Sequence, residues 1–77
     1  MWSKGVVRVN GRNFFYCVKH FEEPSGEYGI NGGGKISKME IREDNEAVML
    51  RYDRGWDIEP KDADTLAVYK LLLKNYN

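Results

Sequence analysis

The chain holds one cysteine, one histidine and two prolines, and its charge cancels, with 12 lysines and arginines against 12 aspartates and glutamates. Each scarcity excludes something. Cys17 alone makes no internal disulfide, so the fold does not depend on an oxidising compartment, and its place in Phe14–Val18 reads as a packed thiol. Structural zinc takes four Cys or His ligands or carboxylate substitutes, and one Cys and one His on opposite faces of a strand do not supply them. His20 has no serine or cysteine partner assignable from spacing, so no catalytic set is complete. The balanced charge gives no global field toward nucleic acid or an anionic membrane, which argues against nucleic acid as a partner. Met1–Gly5 lacks the apolar core of a signal peptide, and no apolar run approaches the roughly 18–20 residues that span a bilayer. A soluble, cytoplasmic domain covering 1–77 is the expectation. At this size only about 60% of the unfolded surface is buried, too thin a core for a deep active site.

What is present reads as strands followed by one helix. Val6–Val9 and Arg12–His20 flank Asn10-Gly11, a dipeptide suited to a type I′ hairpin turn because both central residues need positive φ. Strands are expected near 3–9 and 12–20. Pro24 and the glycines at 26, 29, 32, 33 and 34 make 21–34 a loop. In 35–42, Met39 and Ile41 share a face that Ile36 does not, which predicts a bulge near Ser37. A turn at 43–46 leads to a fourth strand over 47–52. Leu66, Tyr69, Leu73 and Tyr76, widened by Ala63, Thr65 and Leu72, form a helical stripe, with Asp62 as N-cap. The predicted fold is α+β: a four-stranded antiparallel meander packed on one C-terminal helix, β-β-β-β-α.

Two segments, Tyr28–Ile36 and Tyr52–Pro60, crowd aromatics, glycines and charges into nine residues each. Gly29–Lys35 matches the first seven positions of a phosphate-binding P-loop, but Ile36 stands where Ser or Thr would hold magnesium, and a strand rather than a helix follows. A weaker reading makes the glycine amides and Lys35 an anion nest. Asp53, Asp57 and Glu59 lack calcium-loop spacing and fit a turn with local ion pairs around Gly55-Trp56. No catalytic residue, metal ligand or cofactor is assigned. The candidate binding surface is Tyr28, Asn31, Lys35, Asp53, Arg54, Trp56 and Asp57.

If Phe14, Tyr16 and Val18 face the helix, Phe15 and Cys17 lie on the other face of the sheet. That second apolar face calls for a cover, either the 21–34 loop or another copy of the chain. The favoured function is therefore a non-enzymatic binding or interaction module, self-associating through a sheet face or edge. The alternative is single-stranded nucleic-acid binding through Tyr16, Arg51, Arg54 and Trp56. A remoter one is a metal-dependent enzyme using Asp53, Asp57 and Glu59.

Tyr28–Asn31, Gly34–Lys38 and above all Tyr52-Asp-Arg-Gly-Trp-Asp57 resemble a small family of uncharacterised bacterial and phage-associated proteins, the likeness running from the region of Trp2 to the helix. The resemblance implies a small stand-alone soluble domain of unknown role and brings no activity, ligand or catalytic residue with it.

Overall fold

A computed structural model describes residues 1–27 and 29–77; the candidate Tyr28 lies outside the described residues. Strands β1 (Trp2–Val9), β2 (Arg12–His20), β3 (Ile36–Glu43), β4 (Ala47–Asp53) and β5 (Trp56–Ile58) form one sheet in the order β1-β2-β3-β4-β5, and helix α1 (Ala63–Tyr76) follows. Every neighbouring pair is antiparallel, so the meander is as expected, but it has five strands rather than four. The extra strand forms because Arg54 takes φ 57° and folds Trp56 back beside Tyr52, while the Asp53 amide donates to the Gly55 carbonyl at 2.9 Å.

Asn10 and Gly11 take φ 51° and 78°, the left-handed pair of a type I′ turn. The β3–β4 turn repeats the device with Asp44 and Asn45 at φ 52° and 58°, residues whose short polar side chains tolerate that region. The sheet carries three irregularities. The first falls where predicted: Lys19 pairs with Lys38 but His20 with Ile36, leaving Ser37 as the extra residue. Met49 and Asp57 are extra in the same way on β4 and β5.

Asp62 caps α1, accepting from the Thr65 amide at 2.8 Å and the Thr65 hydroxyl at 3.1 Å. The stripe that packs is Thr65, Val68, Tyr69 and Leu72, with Leu73 and Tyr76 beside it. Leu66 and Ala63, expected on that stripe, face solvent. The phase of the helix is set by where Val68, Tyr69 and Leu72 meet Phe14, Val18, Met39, Ile41 and Leu50, and this turns Leu66 away. Each such side chain, fully buried, contributes about 1.5–3 kcal/mol.

The β2–β3 connection packs on the helix side too. Ile30, in a short 3₁₀ turn (Ile30–Gly32), is completely buried in the core. A Cβ on Gly29 would run into the backbone of Gly34 and Ser25, so the loop closes on itself only with glycine there. The Gly29, Gly32 and Gly34 amides donate to Ser25, Gly29 and Ile30 carbonyls inside the loop, so they are not available to an anion nest. One sheet face is thus covered by α1 and the loop. The other carries no helix among the described residues. Of the two covers expected for Phe15 and Cys17, the loop or another copy of the chain, the loop packs its Ile30 on the helix side and meets the second face only at its end, beside Lys19 and Lys38. Among the described residues no helix is long and apolar enough to cross a membrane.

Candidate functional site

The predicted binding residues do not form one site. Asn31 and Trp56 sit on the helix side. The Asn31 carboxamide takes both roles with the Tyr69 hydroxyl, donating at 3.0 Å and accepting at 3.2 Å. Trp56 lies edge-on to Tyr52 and Tyr69, with ring centroids 5.2 and 5.6 Å away. Tyr52 donates to the Gly29 carbonyl at 3.2 Å. The two nine-residue segments therefore meet here, in a clamp that fixes the loop and β5 to the helix. Offset and edge-on aromatic pairs of this kind are worth about 0.5–1.5 kcal/mol beyond their burial.

Asp53, Arg54 and Asp57 lie toward the uncovered face and its rim, while Lys35 lines both a hollow there and one beside Asn75 and Tyr76 of the helix. Asp53 forms ion pairs with Lys38 at 3.6 Å and Arg54 at 3.7 Å, and Asp57 with Arg51 at 3.7 Å. Among the described residues no group of three or more His, Cys, Asp or Glu is placed to hold a metal ion.

The uncovered face is built by strand alternation. Register places Trp2, Lys4, Val6 and Arg8 of β1 beside Lys19, Cys17, Phe15 and Asn13 of β2. Lys38, Glu40 and Arg42 of β3 continue the rows, paired with Asp53, Arg51 and Val48 of β4. Cross-strand partners share a face, so these side chains form one surface. Trp2 is 52% exposed and Val6 56%. Phe15 and Cys17 are half-buried in the middle. These register positions carry six basic side chains and two acidic ones, with Asp57 reaching Arg51 from the rim.

Glu40 lies between Arg42 at 2.8 Å and Arg51 at 2.7 Å, and the hydrogen bond from Arg42, then that from Arg51, holds its carboxyl below the ordinary range against some desolvation. The Lys19 ammonium stands between two rings, 5.9 Å from Trp2 and 5.6 Å from Phe21. The surface is furrowed. A depression of about 490 Å³ lies over Phe15 and Cys17 between Lys4 and Arg42. One of about 180 Å³ lies between Trp2, Lys38 and Arg51, sharing Cys17 and Glu40 with the first. A third, of about 210 Å³, is rimmed by Lys19, Lys35, Lys38 and Arg54 with Ser25 and Ser37.

Composition alone does not show this surface, because Trp2, Lys4, Lys19 and Lys38 come together by position rather than by type. The signal was available in β1, where Trp2-Ser-Lys-Gly-Val-Val-Arg alternates outward and inward, but only pairing shows which half is left uncovered.

A five-stranded meander with a helix on one face and a furrowed, cationic, aromatic-bearing face on the other defines a two-layer α+β domain. The chain belongs to the DUF7678 family, described as a domain of unknown function, whose model matches residues 1–77. No curated protein and no solved structure matches it significantly.

Proposed function

We propose that this chain is a non-enzymatic binding module and that the open face of its sheet is the working surface. One observation carries the reading: among the described residues, a sheet face holding Trp2 and Val6 more than half exposed has no helix over it, while α1 and Ile30 of the loop pack on the opposite side. Exposed apolar area rimmed by polar groups is the ordinary mark of a contact surface. The carboxylates that an acid–base reading would use, Asp53 and Asp57, serve as counter-ions to Lys38, Arg54 and Arg51.

Amide chemical-shift mapping of the labelled protein tests this, with heparin as a general polyanion in one series and the protein's own dilution in another. Perturbation is expected at Trp2, Val6, Phe15, Cys17 and Glu40 and not at Leu66 or Lys70 on the helix. Silence of the open face in both series overturns the reading.

Self-association has a specific observation of its own. Among the described residues, strand β1 is an eight-residue edge with β2 alone beside it in the sheet, and such an edge presents backbone donors and acceptors to a second strand. Light scattering across the micromolar range is expected to show a dimer that Val6→Pro dissolves; a monomer at every concentration removes this reading.

A further inference from the structure

The occupant of the open face follows from its charge and shape, on the premise that this face is the binding surface. We propose that it binds a single-stranded polynucleotide, laid along the furrow that crosses the sheet from Arg42 to Lys35.

Three observations converge. The first is charge. The chain is neutral as a whole, yet this face concentrates cations: the furrow runs past Lys4 and Arg42, then Arg51 and Lys38, and ends among Lys19, Lys35 and Arg54. The acids along it are Glu40 and Asp53, each shared by two of those cations, so neither leaves net negative charge in the furrow. A partner that complements such a surface is a polyanion.

The second is continuity. The first and second depressions share Cys17 and Glu40, and the second and third share Lys38. A furrow of linked hollows suits a linear chain with repeating charges better than a compact anion. The third is the placing of aromatics. Trp2 stands exposed above the middle hollow, Phe15 lines the first, and Phe21 lines the last. Flat side chains interleaved with cations on an open sheet are the means by which unpaired bases are stacked while their phosphates are neutralised. Base pairs in a duplex present no free ring faces, so the same surface favours single strands.

The roles divide accordingly. Lys19, Lys35, Lys38 and Arg54 surround the last hollow and take a phosphate, with Ser25 and Ser37 in its wall. Trp2, already held beside the Lys19 ammonium, stacks on the adjacent base. Phe15 and the Cys17 thiol floor the hollow that takes the next part of the strand.

The experiment uses the full chain with Trp56→Phe, which leaves Trp2 as the only tryptophan. Oligo(dT) and oligo(U) of about 16 nucleotides, long enough for the site sizes typical of such surfaces, are titrated at low salt. Duplex DNA and heparin are run beside them. Quenching of Trp2 by a single-stranded oligomer is expected, with log K falling against log salt at a slope of about −0.7 per phosphate contact. Trp2→Ala is expected to weaken binding about ten-fold or more, and Lys19→Glu/Lys38→Glu to abolish it while the far-ultraviolet circular dichroism stays that of the parent. Cys17 supplies a readout in the chain without substitutions: bound oligomer slows its alkylation by a maleimide.

Binding by either oligomer supports the proposal, and the tighter one assigns the sugar. Heparin shifts on the open face with no quenching by oligomers overturn it while leaving the binding-module reading intact. Duplex binding as tight as single-strand binding overturns the stacking roles and with them the proposal. Dimerisation that buries Trp2 and excludes the oligomer assigns the face to a second copy instead.

Discussion

Arg12 shows how one side chain joins parts of the chain that are distant in sequence. Its guanidinium donates to Glu43 at 2.7 and 2.9 Å, to Asp62 at 3.2 Å and to Asp64 at 3.0 Å, and it lies 4.8 Å over the Phe14 ring. Asn10 adds a bond to Asp64 at 2.7 Å. The first hairpin, the second hairpin and the helix N-terminus are thereby tied at one corner. The hydrogen bond from Arg12 holds the Glu43 carboxyl below the ordinary carboxylate range, and the Thr65 amide and hydroxyl, then Arg12, do the same for Asp62. Groups lowered in the folded state stabilise it above their unfolded pKa and lose that contribution as pH falls through the folded value. Urea denaturation at decreasing pH is therefore expected to show stability declining below about pH 4. Arg12→Met is expected to be less stable at neutral pH and to show a shallower decline, since Glu43 no longer has its main partner while Asp62 keeps Thr65. Parallel curves for the two proteins would refute the assignment. Asn10-Gly11 and the Asp62 cap were legible because their chemistry is local. Arg12 was not, since its partners lie 31, 50 and 52 residues away.

The elements were legible in proportion to their length and period. The eight- and nine-residue strands and the 14-residue helix carry enough repeats to be read, whereas β5, at three residues, carries none. The period fixes the helix but not its buried face: Leu66 and Leu72 are equally apolar in sequence, and only the position of the sheet tells them apart. Leu72→Ala, at a fully buried site, is expected to cost about 2–5 kcal/mol, and Leu66→Ala about 1 kcal/mol or less. The same ruler applied to the loop gives a sharper contrast. Ile30 lies in a glycine-rich connection, yet Ile30→Ala is expected to cost as much as Leu72→Ala, because the side chain is completely buried against the core. Chemical denaturation of the three variants decides this; a small loss for Ile30→Ala would show that the loop does not carry part of the core.

On the scale of the whole molecule, the balance of 12 basic and 12 acidic residues is an average over two unlike sides. The acids gather at the helix N-terminus with Asp62 and Asp64, at the β3–β4 turn with Glu43, Asp44 and Glu46, and in the loop with Glu22, Glu23 and Glu27. The cations of the open sheet face stand on strands that point their other side chains into the core, with Glu40 and Asp53 as the acids at the same register positions. Net charge describes behaviour at distances well beyond the molecule, but at about 8–10 Å, the Debye length at moderate salt, a surface feels only its near side. A composition argument about polyanions counts charges without their positions, so it speaks only to the far field. Near its sequence pI of about 6.6 the protein is accordingly expected to be retained on a sulfonate resin at low salt, although its net charge there is close to zero. Lys4→Glu/Lys38→Glu, which alters only the open face, is expected to pass through unretained. Exchanging Lys61 and Lys70 instead, which removes the same amount of charge from the helix side, is expected to change retention far less. Equal loss of retention in the two double variants would mean that the face has no field of its own, and would remove the electrostatic basis for any partner recognised by charge.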